Sequence, residues 1–257
     1  MKIIEIDKDI FQYCFNGDKE SNMGYNIFAL IAEKKALIID TAYAKEAQQV
    51  RADLEKNGIK PEKVIISHFH PDHAGGSSVF SDCEIIGSKF YKVNINNCRR
   101  WAPEYEYIEP QVLVKNNDTM EFGSFKLSFI YTPGHSNCSI STVINDNIIH
   151  IGDLIMTSDT EKPMLPIVTI NGSFSEHISS LELIKSLNMN TFLLAHGLPM
   201  SKREIINAEI DDRIYYLKNV QQSKGNLSVE NCLKNPLENY ECTNWHYNNC
   251  NYFKRFF

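Results

Sequence analysis

Short apolar runs separated by polar breaks characterise the N-terminal part of the chain and predict β-strands there. Lys2–Ile6 alternates apolar with polar residues, and Asn26–Ala32 and Ala36–Asp40 are almost continuously apolar. The polar break between the last two runs is typical of a hairpin. Thr41–Asn57 then places its apolar residues at helical spacing, so an amphipathic helix is predicted to follow the hairpin.

The alternation of strands and helices continues as far as Met200. Val64–Ser67 and Cys83–Gly87 predict two strands, and Ser88–Tyr107 is expected to be helical or irregular. Further strands are predicted at Val112–Val114, Thr119–Phe122, Phe125–Tyr131, Ser139–Ile144, Asn147–Ile151 and Thr191–Ala195, with a helix at Phe174–Leu187. This pattern suits a large α/β or β-rich core, and does not by itself define how the strands are ordered.

The pattern changes after Met200. Ser201–Val220 has helical spacing, with Ser201 as the predicted N-cap and Glu204 three residues later, at the spacing of a capping box. Asn231–Phe257 is a tail rich in Asn, Tyr, Phe, Cys and Trp. We therefore predict a single domain with its core at residues 1–200 and, at 201–257, a helix and an aromatic tail packed on that core. The tail is expected to cover the core or to form a contact in a homodimer.

Charge and composition narrow the classes of partner. The net charge is -6 and no long run of Lys or Arg occurs, which disfavours a nucleic-acid partner. No apolar stretch approaches the roughly 20 residues that a bilayer requires, and the N-terminus lacks the apolar segment of a signal peptide. The seven cysteines form no CxxC pair and are expected to be reduced thiols. A cytoplasmic protein without a membrane or nucleic-acid partner is the expectation.

Four side chains that can bind metals lie within the segment His68-Phe69-His70-Pro71-Asp72-His73, directly after a predicted strand. Residues two apart on an extended backbone project to the same side, so His68 and His70 can share one metal ion. Pro71 bends the chain, which allows the next two side chains to turn toward a second ion. Surface histidines would explain one such residue, but not four at this spacing.

Three later segments repeat the arrangement. His135, Asp153 and His196 each follow a predicted strand and each adjoin a glycine. Any of these residues alone would more often be an ordinary polar side chain than a ligand. Together they complete a set of imidazoles and carboxylates that suits Zn²⁺, Fe or Mn²⁺. His150 and Cys138 lie near these motifs in sequence and are expected to be structural.

His-x-His-x-Asp-His followed by single His, Asp and His residues resembles the metallo-β-lactamase superfamily, from about Asn26 to Pro199. The resemblance implies an α/β fold: an αββα sandwich of two mixed β-sheets flanked by helices, with two metals at strand ends along one edge. It assigns His68, His70 and His135 to a first metal, Asp72, His73 and His196 to a second, Asp153 to a bridging position, and Asp40 to a position that orients the site from behind.

The resemblance also implies an activity. Asp153 stands where the antibiotic-hydrolysing branches lack a bridging Asp, so the chain is more similar to glyoxalase II, lactonases and related esterases than to β-lactamases. We predict a hydrolase that uses two divalent ions, with Zn²⁺ the first expectation and Fe or Mn²⁺ the alternatives. A hydroxide shared by both ions would attack an ester, thioester or lactone of a small-molecule substrate. Asp72 and Asp153 are the predicted catalytic residues.

Other activities remain open on the same set of residues. A phosphodiesterase would use the same two metals, whereas a persulfide dioxygenase on the same fold would use a single iron. A non-catalytic binding domain is disfavoured because no ligand-type residue is missing. Substrate contacts are predicted from the variable segment Lys89–Tyr107, where Arg99, Arg100 and Trp101 combine cations with an aromatic ring.

Overall fold

Two β-sheets form the centre of the molecule in the computed structural model, which describes residues 1–17 and 22–254. The seven-stranded sheet contains, in order, β1 (Lys2–Asp7), β2 (Ile10–Phe15), β3 (Tyr25–Ala32), β4 (Lys35–Ile39), β5 (Lys60–Ile66), β6 (Glu84–Ser88) and β7 (Val112–Val114). The five-stranded sheet has the order β12 (Thr191–Leu193), β11 (Ile148–His150), β10 (Ile140–Ile144), β9 (Phe125–Tyr131) and β8 (Thr119–Phe122). Both sheets mix parallel with antiparallel pairs.

Helices cover both outer faces. On the first sheet lie α1 (Ala44–Lys56), the short α2 (Pro71–Ala74) and α3 (Tyr91–Trp101). On the second lie α4 (Phe174–Ser186), α5 (Arg203–Gln222), α6 (Val229–Cys232) and α7 (Trp245–Lys254). Short 3₁₀ turns occur at Ser77–Phe80, Gly152–Leu154 and Leu237–Asn239. The predicted αββα sandwich is therefore confirmed.

The apolar residues of β4 show why the sheets form a sandwich. Successive side chains of a strand point to opposite faces. Leu37 and Ile39 belong to the core between the two sheets, whereas Ala36 and Ile38 pack under the helices of the outer face. Because all four side chains are fully buried, the strand is covered on both sides. This is why its sequence is continuously apolar and not alternating.

Several elements differ from the sequence prediction, among them the unpredicted helices α2, α6 and α7. β2 was not predicted, and its central Gln12 is fully buried, where its side-chain amide donates to the Gly197 carbonyl oxygen (3.1 Å). The first helix begins at Ala44 and not near Thr41, because Ala42 has a positive φ of 47°. The predicted Ser201 cap is wrong: α5 has Lys202 as its N-cap residue and no side-chain capping hydrogen bond.

The C-terminal segment packs on the second sheet. Ile206 and Leu217 of α5 share a buried cluster with Phe192 of β12. Residues 255–257 of the predicted tail lie outside the described part of the chain. The division into a core and a packed tail stays a prediction. Within the described ranges, no helix is long and apolar enough to cross a membrane.

The N-terminus of α4 offers a test of local stability. The Ser173 hydroxyl accepts a hydrogen bond from the Glu176 backbone N–H (3.3 Å) and so satisfies one of the free amides of the first turn. Ser173→Ala is expected to lower the free energy of unfolding by about 1 kcal/mol in denaturant titrations. Ser179→Ala, an exposed site within the same helix, serves as the control. An equal loss in both variants would contradict a capping role for Ser173.

Candidate metal centre

Loops from both sheets meet at one edge of the sandwich. β5 ends at Ile66, and only Ser67 separates it from the His68–His73 segment. The Ile140 backbone N–H, at the start of β10, donates to the Ser67 carbonyl oxygen (2.9 Å). This bond joins the first sheet to the second where β5 ends. It fixes the His68–His73 segment relative to the loop that carries His135.

Three imidazoles form the first cluster. His70 Nδ1 lies 2.9 Å from His68 Nε2 and also 2.9 Å from His135 Nε2. All three side chains are buried. They belong to the group of ligand atoms that can surround one ion. The structure thus brings together the three residues that the sequence assigned to a first metal.

A second cluster combines a carboxylate with two imidazoles. His196 Nε2 lies 3.5 Å from Asp72 Oδ2, and His73 Nε2 lies 3.8 Å from the same oxygen. These three ligand atoms also form a group that can surround one ion. His73 is delivered by α2, whose first residue Pro71 is favoured at a helix start. The second predicted set is likewise brought together.

Asp153 lies between the two clusters and turns one oxygen toward each. Its Oδ2 is 3.4 Å from His135 Nε2 and 3.8 Å from His68 Nε2. Its Oδ1 is 3.2 Å from His73 Nε2 and 3.4 Å from His196 Nε2. This is the geometry that a carboxylate bridging two ions requires. The preceding Gly152, with φ of 51°, makes the turn that presents it.

Hydrogen bonds behind the clusters fix which ring nitrogen faces inward. His135 Nδ1 donates to the Ile167 carbonyl oxygen (2.9 Å), and His196 Nδ1 donates to that of Gly24 (2.7 Å). His73 Nδ1 donates to Asp40 Oδ2 (2.8 Å). A neutral imidazole that donates through Nδ1 keeps its lone pair on Nε2. In all three residues, Nε2 is the atom directed at the clusters, as in many metal sites.

Burial and neighbouring charges act in opposite directions on these groups. Burial holds the pKa of His68 and His70 well below the usual value, so both rings are neutral. Burial alone would raise the pKa of Asp153, but the adjacent imidazoles keep that pKa well below its usual range. The carboxylate is therefore ionised. At His73 and His196 burial disfavours the charged ring, but the carboxylates of Asp153 and Asp72 outweigh burial and raise the pKa of both imidazoles. Metal binding there would displace a proton, whereas His68 and His70 are already in the form that binds metal ions.

The unsatisfied atoms of the site fit a pair of metal ions. His73 Nε2, His196 Nε2 and Asp153 Oδ1 are buried and have no hydrogen-bond partner among the described residues, which is costly for polar atoms. In the first cluster, His135 already uses its single N–H at Ile167, so the three close ring nitrogens cannot all pair with one another. A shared cation satisfies such lone pairs, and nitrogen and oxygen donors without thiolate suit Zn²⁺, Fe or Mn²⁺.

A pocket of about 250 Å³ opens onto both clusters. Trp101, one of the three predicted substrate contacts, lines it, and its ring centroid lies 6.3 Å from that of His70. Arg99 is instead paired at the surface with Glu109 (3.1 Å), and Arg100 is exposed and does not line the pocket. Of the three predicted substrate contacts, Trp101 lines the pocket and the two arginines do not.

Two further residues predicted to be structural lie behind the centre. His150, fully buried on β11, places Nε2 3.8 Å from Asp40 Oδ2, and burial lowers its pKa to about 4. The buried Cys138 thiol accepts a hydrogen bond from the Phe69 backbone N–H (3.4 Å), and burial raises its pKa to about 11. Neither residue belongs to the two clusters.

Sequence reasoning missed several residues of the site. Met23, Met156, Ile167 and Trp245 line the pocket, although they are far apart in the chain and share no motif. The aromatic character of the tail was the only signal for Trp245. Nothing in the sequence pointed to the other three as pocket residues.

The model of the metallo-beta-lactamase superfamily matches residues 23–196, a span that includes every predicted ligand. The chain belongs to the metallo-beta-lactamase superfamily. The membership inferred from the motif is thereby confirmed. Together with the two His/Asp clusters, it supports the predicted class of enzyme, a metal-dependent hydrolase.

Curated relatives of this superfamily member include proteins named hydroxyacylglutathione hydrolase from Brucella ovis, Brucella abortus and Brucella melitensis. Each is 28% identical over 134 residues, which is 51% of this chain and 48% of the relative. The match thus spans about half the length of these relatives.

Solved structures of the superfamily share the fold. A metallo-beta-lactamase from Pontibacter korlensis has a TM-score of 0.69 at 12% identity, covering 83% of this chain and 98% of that protein. The DIM-1 metallo-beta-lactamase has a TM-score of 0.65 at 15% identity, covering 82% and 96%. At these identities the likeness concerns the fold alone.

Proposed function

We propose that the protein is a dinuclear metal-dependent hydrolase that acts on an ester, thioester or lactone of a small molecule. One observation carries this proposal: Asp153 turns one carboxylate oxygen toward each of two adjacent ligand clusters. Two divalent ions held there would lower the pKa of a shared water toward about 7 and polarise the carbonyl under attack. The family match and the likeness to hydroxyacylglutathione hydrolases support the same reaction class.

The residues of the chain have distinct proposed roles. His68, His70 and His135 would hold one ion, and Asp72, His73 and His196 the other, with Asp153 shared between them. Asp72 is the one of these carboxylates with appreciable exposure (16%) and it lines the pocket. We assign it the second role of receiving, on a carboxylate oxygen, the proton released as water attacks. The rigid strand ends keep all of these groups in place before substrate arrives.

Glutathione itself is a poor fit for the pocket. No Lys or Arg is among the described residues that line it, so the carboxylates of a glutathione thioester have no cation there to pair with. The relatives named for that substrate match only half of their length. The substrate of this chain therefore remains a separate proposal, which concerns an ester, thioester or lactone without such charges.

Metal content and a panel of substrates test the function together. We expect close to two metal ions per chain by elemental analysis, and turnover of one ester, thioester or lactone class. Chelation should abolish that turnover, and added Zn²⁺, Mn²⁺ or Fe²⁺ should restore it, because all proposed chemistry depends on the clusters. A chain that is folded, free of metal under every loading condition and inactive would overturn the proposal.

The same measurements separate the alternatives. Chelator-sensitive cleavage of phosphodiesters, with no cleavage of acyl substrates, would make the protein a phosphodiesterase. One iron per chain with oxygen consumption on a persulfide would make it a dioxygenase. The pair of clusters on either side of Asp153 favours two ions over one, and for that reason the hydrolase is the stronger proposal.

A further inference from the structure

The wall of the metal pocket is mainly apolar. It is lined by Met23, Trp101, Met156, Ile167 and Trp245, beside the candidate metal ligands. Its volume of about 250 Å³ lies just below the roughly 300–1,000 Å³ of typical small-molecule sites. A pocket with polar metal-binding residues at its base and apolar walls fits a ligand with one reactive polar group and a hydrocarbon chain.

The two tryptophans of this wall come from distant parts of the chain. The protein contains two Trp residues, and both line the same pocket. Trp101 ends α3, which covers the first sheet, whereas Trp245 begins α7 in the C-terminal segment. The family match ends at residue 196. Trp245 therefore belongs to a part of the chain outside the matched region.

A buried asparagine holds α7 against the pocket. Asn249 is fully buried, and its side-chain amide donates to the Pro166 carbonyl oxygen (2.8 Å) and accepts from the Val168 N–H (3.0 Å). The residue between these two, Ile167, lines the pocket and accepts the hydrogen bond of the metal-cluster residue His135. The helix that carries Trp245 is therefore hydrogen-bonded to residues 166–168, the same segment that accepts the His135 hydrogen bond.

A second attachment lies before α7. The Leu165 N–H donates to the Glu241 carbonyl oxygen (3.2 Å), and the Glu241 N–H donates to that of Pro163 (2.9 Å). Backbone pairing thus fixes residues 163–165 to the segment that leads into the helix. With attachments on both sides, Trp245 is held in a defined position, as a residue that selects substrate must be.

We propose that Trp245 and Trp101 form an acyl-binding site, so that the substrate is an ester, thioester or lactone whose acyl part is an uncharged hydrocarbon chain. This rests on the proposed hydrolase function and names its substrate class. Trp245 is the specificity-determining residue contributed by the C-terminal helix. Each methylene that enters the pocket should tighten binding about threefold to fourfold, until the pocket is full.

Binding can be measured without turnover, because both tryptophans report on the pocket. Acetate, butanoate, hexanoate and octanoate, the carboxylates that such hydrolysis releases, are titrated into the metal-loaded protein while tryptophan fluorescence is recorded. We expect affinity to rise along the series. Trp245→Ala should weaken octanoate binding about tenfold or more and leave acetate almost unchanged, with Trp101 as the remaining reporter. Trp245→Phe should restore most of the dependence on chain length.

Tyr247→Ala is the matched control, since this aromatic residue lies on the same helix, is 69% exposed and does not line the pocket. If Trp245→Ala does not fold, Trp101→Ala, at a side chain 53% exposed, tests the opposite wall with Trp245 as reporter. Octanoate binding no tighter than acetate, or equal weakening by Trp245→Ala and Tyr247→Ala, would overturn the acyl site. Chain-length-dependent binding without hydrolysis of any acyl substrate would leave the site standing and refute the hydrolase.

Discussion

Replacement of Asp153 by Asn is expected to lower kcat by about a thousandfold or more, as when a central electrostatic group is removed from a preorganised site. Asn has almost the same volume as Asp, so the packing of the site is retained and only the charge is lost. Asp153 Oδ1 lies 3.2 Å from His73 Nε2 and its Oδ2 lies 3.4 Å from His135 Nε2. Among the described residues, no other carboxylate contacts imidazoles of both clusters, so no neighbour can replace the bridge.

The matched control is Asp146→Asn. This residue is exposed in the hairpin turn between β10 and β11, at the other end of the strand that leads to Asp153. Its φ of 55° suits Asn as well as Asp. We expect the control to keep normal turnover and close to two ions per chain, whereas Asp153→Asn loses at least one ion in elemental analysis. Near-normal kcat in Asp153→Asn would refute the bridging role.

The sequence was most informative where the candidate metal ligands lie close together in the chain. His68 and His70 are two apart after a strand, and that spacing alone predicts a shared ion. His135, Asp153 and His196 are isolated in sequence, and their convergence depends on the order of strands in two sheets. No periodicity reveals that order, so the grouping of these three was available only through resemblance to a family. The structure then shows the two clusters directly.

Other features could not be predicted because they depend on contacts between distant segments. Gln12 interrupts the apolar pattern of β2 since its amide donates to Gly197, 185 residues away, so the strand lacked a clear signal. Trp245 reaches the pocket because the buried Asn249 attaches α7 to residues 166–168. In an Asn-rich tail, the sequence does not distinguish a buried asparagine that joins two segments from an asparagine on the surface.

The last prediction concerns the buried carboxylate behind the second cluster. Asp40 is 1% exposed and accepts three hydrogen bonds, from the Ser67 N–H (2.7 Å), the Ser67 hydroxyl (2.8 Å) and His73 Nδ1 (2.8 Å). Asp40→Asn is expected to lower metal affinity about 10- to 100-fold and the free energy of unfolding by about 3–5 kcal/mol. Chelator competition and denaturant titration measure the two effects.

The two effects have one cause. In either orientation of the amide that Asp40→Asn introduces, its NH₂ group faces a donor, which is the Ser67 N–H or the His73 N–H. His73 can escape that clash only by moving its proton to Nε2, which is the atom directed at Asp153 and Asp72. Nε2 then has no lone pair for a metal ion, so affinity falls even in molecules that remain folded.

Asp53→Asn is the control: its carboxylate accepts from the Tyr13 hydroxyl (2.9 Å), a bond that an amide oxygen keeps. Loss of stability in Asp40→Asn with unchanged metal affinity would show that Asp40 supports packing only and does not orient His73.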